Sequence, residues 1–255
     1  MENNMNAKLS LPATLFHNTL QAITSELGLE EQHDESGGPW MSLVSQLPMV
    51  EGEIGNVRLF SGGPLFRLVT CSLAVAPMQL DSHMLFAFTP GDSAVPHFTL
   101  DSVAAGEHFA FHLDLIPRLD LGCHLGYMDE VFTPLTDACE QGAAIDGLSM
   151  AHLSPRQNAV MSPWMLARRA NESAFGAIEA TVAAYRDHWF NLLRNGVSAQ
   201  ALAGVSAAQL RARNLANKKI IFDPDVDPVW GRITPLIGAE AVAAQRALLI
   251  GEDEV

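Results

Sequence analysis

Asp101 is the residue whose setting most invites chemistry, because it falls inside an apolar run, Pro96-His97-Phe98-Thr99-Leu100-Asp101-Ser102-Val103. Side chains alternate faces along a strand, so His97, Thr99 and Asp101 share one face while Phe98, Leu100 and Ser102 share the other. If helices cover that sheet, the carboxyl is enclosed and desolvation favours its neutral form. An acid of this kind keeps its proton near neutral pH and can donate it to a bound molecule. The plainer alternative is a solvent-facing Asp on a half-exposed sheet, and the pattern alone does not separate the two. His83 opens the preceding apolar run, Ser82-His83-Met84-Leu85-Phe86-Ala87-Phe88. Antiparallel pairing of the two runs would bring it to the end near Asp101 or beyond, as an acid and imidazole pair. A lone structural histidine is the competing reading.

Other candidates are weaker. No Gly-x-Gly-x-x-Gly and no Gly-x-x-x-x-Gly-Lys-Ser/Thr occurs, so the commonest phosphate-cradling loops are missing. Ser149 and Ser206 follow a Gly-x step but lack the second glycine of a nucleophile elbow. His108 and His112 fall on one strand face, where two ring nitrogens could begin a metal site; no third ligand is fixed by spacing, and two solvated imidazoles are the simpler account. Asp223, Asp225 and Asp227 in FDPDVDP resemble the start of a calcium loop, but Pro228 and Thr234 stand where such a loop needs Gly and Glu. A solvated turn accounts for them.

The elements that would position these residues follow from texture. Leu15, Phe16, Leu20, Ile23 and Leu27 recur at helical spacing after Pro12, which predicts a helix over 12–28. The polar stretch 30–38 reads as a loop. From 52 to 115 short apolar runs broken by Gly and Pro predict five strands, at 52–60, 65–75, 82–89, 97–104 and 108–115. Their connections are too short for crossover helices, so the strands form an antiparallel meander. Beyond Pro117 helical texture takes over, at 127–140, 174–193, 207–216 and 239–249. Strands first and helices later describe a sheet covered by helices.

The 255 residues suffice for one sizeable core, and no compositional seam divides them, so one domain over 1–255 is expected, with flexible ends at 1–10 and 251–255. With 29 acidic against 15 basic residues the net charge is −14, which argues against nucleic acid and anionic lipid as partners. Cys71, Cys123 and Cys139 form no Cys-x-x-Cys and suggest reduced thiols. The polar N-terminus and the lack of a long apolar stretch point to a cytoplasmic protein.

The stretches Pro96–Asp101, Phe111–Leu121 (FHLDLIPRLDL) and His124-Leu125-Gly126-Tyr127 together resemble the red chlorophyll catabolite reductase family of the ferredoxin-dependent bilin reductase superfamily. Ser162-Pro163-Trp164-Met165-Leu166-Ala167-Arg168 resembles its Ser-Pro-x-x-Leu/Phe-x-Arg segment, and Asp227-Pro228 with Gly238 its late Asp-Pro…Gly element. The likeness covers about residues 80–250, in order.

The resemblance implies a three-layer α/β/α sandwich, a central antiparallel sheet flanked by helices on both faces, with a linear tetrapyrrole between the sheet and one helical layer. It implies electrons arriving singly from reduced ferredoxin by a radical route, with no cofactor bound in the enzyme and protons supplied by the protein. By position it makes Asp101 the leading proton donor, Asp227 the second acid, and His83 a strand histidine shared with some bilin reductases. Arg168 becomes a candidate for a propionate carboxylate, beside His97, Thr99 and Phe98 as substrate contacts. A homodimer is a family-level expectation. Docking an acidic ferredoxin on a chain of charge −14 would require the cations between Arg168 and Lys219 to gather on one face. Two alternatives keep the same pocket: a tetrapyrrole carrier that performs no reduction, and an enzyme doing acid-base chemistry on another conjugated substrate.

Overall fold

The computed structural model describes residues 9–251. The expected flexible ends therefore lie mostly outside the described residues. Ser10 and Gly251 lie within them, the first capping a helix through a hydrogen bond from Ala13 N–H to its hydroxyl, the second closing the last helix in a left-handed conformation.

The chain begins with α1 (Leu11–Leu27), followed by short strands β1 (Glu30–Gln32) and β2 (Met41–Val44). The meander then runs through β3 (Glu53–Gly62), β4 (Leu65–Val75), β5 (Leu80–Phe88), β6 (His97–Ala105) and β7 (His108–Ile116). Helices α2 (Leu125–Val131) and α3 (Thr136–Ala143) precede β8 (Leu148–Met150), α4 (Pro155–Val160) and β9 (Leu166–Ala170). The rest is helical: α5 (Glu172–Gly176), α6 (Glu179–Asn195), α7 (Ala207–Ile221), α8 (Val229–Ile237) and α9 (Ala239–Ile250).

The sheet order is β1-β3-β4-β5-β6-β7-β9-β8, with β2 also on the outer edge of β3, and every pairing is antiparallel. Against the expected elements, the five meander strands are present. The stretch expected as a loop contains β1, and β2, β8 and β9 extend the sheet at both edges. These strands are three to five residues long, too short to show an alternating pattern. The helix expected over 127–140 is two helices joined by a tight turn at Thr133–Leu135, where Pro134 cannot donate an interior backbone bond.

One face of the sheet packs under α1, α2, α5 and α6, with Leu85, Phe98, Leu100 and Leu113 against Phe16, Tyr127, Phe175 and Trp189. The other packs under α7, α8 and α9, with Val69, Phe86 and Phe88 against Phe222, Trp230 and Leu249. The molecule is thus a three-layer α/β/α sandwich. Alternation along β6 sends Phe98 and Leu100 into the first core and Thr99 and Asp101 toward the second.

The β6–β7 hairpin fixes what Asp101 meets. Ala105 pairs with His108, leaving Gly106 and Glu107 as a two-residue turn, and Gly106 takes φ +62°, which favours glycine. The register that follows pairs Asp101 with His112, Thr99 with Asp114 and His97 with Ile116.

Candidate active site

A cavity of about 440 Å³ lies between the second sheet face and the α7–α8 region. Its sheet wall includes Met84, Phe86, Thr99, Asp101 and His112; its helical wall includes Phe222, Asp227, Trp230, Arg232 and Leu236. Such a volume and a mostly apolar lining suit an organic ligand held by a few polar groups.

Asp101 lines this cavity. About a third of its side chain (33%) is accessible, while Oδ1 is buried and makes no hydrogen bond with any described residue. Burial raises its pKa to about 8, helped by the nearby charge of Asp227. Across the ladder His112 places Nδ1 3.7 Å from Asp101 Oδ2 and 3.3 Å from Thr99 Oγ1. Burial pulls the pKa of this imidazole down to about 4. Near neutral pH the pair is therefore a carboxylic acid beside a neutral ring. His112 Nε2 is buried with no partner among the described residues, and so is the indole nitrogen of Trp230. Buried polar atoms are nearly always satisfied, so three unmatched atoms on residues lining one cavity set this region apart.

Asp227 approaches from the helical wall, in the turn before α8. Its Oδ1 accepts from Val229 N–H at 3.0 Å. Burial raises its pKa, opposed by the Val229 bond and by the charge of Arg232. Three acidic residues in FDPDVDP thus differ in setting: Asp225 is exposed, Asp223 accepts from the Asp225 N–H, and Asp227 turns toward the cavity.

Asp114 continues the polar row of β7 behind the cavity. It is fully buried and accepts from Ser162 N–H at 2.8 Å and Ser162 O–H at 2.5 Å. Burial lifts its pKa to about 7 against the lowering effect of those bonds. The Ser162-Pro163 segment is thereby tied to the strand that carries His112.

The other sequence-derived candidates fall elsewhere. His83 is the clearest correction: it pairs with Ser102, one step out of phase with Asp101, so its ring projects from the opposite face. There it sits under α1, with Nδ1 2.9 Å from Ser72 Oγ, Nε2 2.9 Å from Asp81 Oδ1, and the ring stacked on Phe16. Phe98 is also on that face, packed against Trp189, and cannot touch a ligand beside Asp101. His97 shares Asp101's face but lies beyond the cavity, where its Nδ1 accepts from Thr89 N–H and its Nε2–H donates to Asn214 Oδ1. Burial and the charges of Arg118 and Lys218 keep that ring neutral, its pKa well below the usual value. Thr99 does line the cavity. Arg168, on β9, donates to the Ala167 carbonyl at 3.0 Å and borders a neighbouring depression with Met150 and His152, which shares Ala151, Leu153 and Ala167 with the main cavity.

His112 corrects the expectation of a solvated face: His108, at the hairpin turn, is exposed, but His112 is covered by the helical layer. The two-residue turn was the signal that could have found it, since pairing 105 with 108 also pairs 101 with 112. Trp230 and Arg232 sit in a helix whose short length and internal Pro235 hide it in the sequence. The cations from Arg168 to Lys219 do not all remain available to a partner: Arg186, Arg194 and Arg211 are ion-paired with Asp187, Glu26 and Asp92, and Lys218 is buried.

Among the described residues, no group of three or more His, Cys, Asp or Glu is arranged to hold a metal ion, and no helix is long and apolar enough to cross a membrane. No protein-family model and no curated protein matches the chain. Among solved structures it is similar to phytochromobilin synthase from tomato, determined in complex with biliverdin, with a TM-score of 0.68 over 93% of this chain and 82% of that one. The two sequences are 16% identical, so what they share is the sandwich fold.

Proposed function

We propose that the protein reduces a linear tetrapyrrole held between the sheet and the α7–α8 layer. In this reading electrons come one at a time from reduced ferredoxin and pass directly to the pigment, with no cofactor bound in the enzyme. Reducing one double bond takes two electrons and two protons, so each electron transfer is matched by a proton from the protein. Asp101 supplies one from the sheet wall. Asp227 supplies the other from the helical wall, and the neutral ring of His112 stands 3.7 Å from the Asp101 carboxyl.

The observation that carries the reading is the carboxyl of Asp101 at the wall of an apolar cavity, its pKa raised to about 8 and one oxygen without a hydrogen bond. A radical anion formed on a conjugated ligand is a strong base, and an acid with a pKa near 8 gives up its proton to it without first becoming charged in the resting site. The shared sandwich with a biliverdin-binding protein and the stretches resembling bilin reductases support the same substrate class.

The test is anaerobic incubation with reduced ferredoxin and a panel of linear tetrapyrroles, followed by absorption spectroscopy. Binding shifts the pigment's visible band, and reduction bleaches or moves it with time. Asp101→Asn is expected to bind pigment and to stall after the first electron. Binding without turnover by the native protein would favour a carrier. Turnover of another conjugated compound with no electron donor would favour acid-base chemistry.

A further inference from the structure

On the cavity side of the sheet one cross-strand row runs Cys71–Met84–Asp101–His112. Asp101 therefore has two lateral neighbours, and they differ in kind. His112, on β7, brings a ring nitrogen to 3.7 Å from Oδ2. Met84, on β5, is half-buried, lines the cavity and packs against the second core. Its thioether has no hydrogen to donate. Directly paired residues hold their Cβ atoms about 4.5–5.5 Å apart, so the methionine occupies the flank of the carboxyl that His112 does not. Beyond it Cys71 is buried, and burial, with a smaller contribution from the charge of Asp101, pushes its thiol up to about 12. The other titratable and charged groups on the Asp101 side are Asp114 from β7 and, from the helical wall, Asp227 and Arg232. Asp81 and His83 of β5 project from the opposite face.

We propose that Met84 is a positioning residue for Asp101: it fills the flank opposite His112 with a side chain that donates no hydrogen bond and displaces water, and so keeps the carboxyl a proton donor to the ligand. The inference rests on the reading of Asp101 as the pigment's proton source and adds the residue that maintains it. Hydrogen-bond donors and hydration stabilise a carboxylate, and their absence favours the neutral acid. Oδ1 of Asp101 is buried with no hydrogen bond to any described residue, so a donor reaching it from position 84 would meet an open acceptor. Asp101 would then surrender its proton before a reduced ligand called for it. A methionine leaves that acceptor alone, and its flexible stem still packs against whatever fills the cavity.

The experiment titrates isotope-labelled aspartate carboxyls by carbon NMR in the protein without pigment, with Asp101→Asn identifying the signal. The same variants are then assayed across pH for anaerobic reduction of biliverdin by reduced ferredoxin. Met84→Gln, which sets an amide N–H beside the carboxyl, is expected to lower the Asp101 midpoint by about one pH unit, the size of one hydrogen bond to a partly solvated carboxylate. Met84→Thr is a second donor variant of smaller volume, expected to move the midpoint the same way. Met84→Leu, apolar like the native residue, should titrate as the native chain does. In the donor variants kcat/KM should begin to fall at correspondingly lower pH. An unchanged midpoint in both donor variants, or an equal fall in Met84→Leu, overturns the role of Met84 and leaves the pigment reading in place. Midpoints that move as expected in a protein that reduces no biliverdin sink the pigment reading, while Met84 stands as the residue that keeps Asp101 protonated.

Discussion

Asp101 and His112 face each other across the β6–β7 ladder with their usual order of basicity reversed: the carboxyl holds its proton to about pH 8, while the imidazole 3.7 Å away stays neutral down to about pH 4. Withdrawal from water is the larger cause of both shifts, and the charge of Asp227 adds to the rise at Asp101. The pair is consequently uncharged over the physiological range and carries a transferable proton.

This has a consequence for stability. An Asp whose folded pKa exceeds its unfolded value keeps a proton in the native state that the unfolded chain has lost, so stability falls as pH rises between the two. For Asp101 that window runs from the ordinary aspartate value of 3.8 to about 8. Asp101→Asn should therefore gain thermal stability relative to the native chain at pH 8 and show little gain at pH 4. Melting temperatures of both proteins across this range check it.

His112 acts in the opposite direction. Its folded pKa is depressed from 6.5 to about 4, so the unfolded chain takes up a proton first as pH falls, and stability is lost across that interval. His112→Gln should flatten the acid side of the stability profile below about pH 6.5, measured by denaturant midpoints at fixed temperature. An unchanged acid limb would show that His112 is not the group responsible.

If Asp101 donates the proton, kcat/KM for pigment reduction should decline above about pH 8 as the carboxyl ionises. Part of that elevated pKa comes from the charge of Asp227, so in Asp227→Asn, slowed by loss of the second donor, the inflection of the residual rate should move to lower pH. Anaerobic initial rates from about pH 6 to pH 9 test this. An inflection that stays in place would separate the two carboxylates.

His83 should matter to the fold and not to the ligand. His83→Gln breaks its bonds to Ser72 and Asp81 beneath α1 and should cost about 1–2 kcal/mol of stability, with the dissociation constant for biliverdin unchanged. Loss of pigment affinity in a folded variant would contradict its place on the far face.

Much of this arrangement is legible in the chain. Long strands announce themselves by alternation, and α1 by its spacing and Pro12, because each element buries one face against a large core. Asp101 is legible for the same reason, as a carboxyl interrupting an apolar run. His83 lies one residue out of phase with Asp101: the apolar runs imply antiparallel partners near the β5–β6 connection, but the eight-residue span from Thr89 to Pro96 fixes no parity. The two-residue turn at Gly106 does fix parity, which is why His112 was within reach. Trp230 and Arg232 were not, since α8 has nine residues and a proline. What brings them to the cavity is tertiary packing on the sheet.

The sheet also serves as a partition. Because successive residues of β6 alternate between an aromatic core layer and the cavity-facing layer, substitutions on α8 can reshape the cavity without touching the contacts of Phe98 or Trp189. The chemistry of the cavity wall can therefore vary while the aromatic packing on the opposite face of the sheet stays as it is.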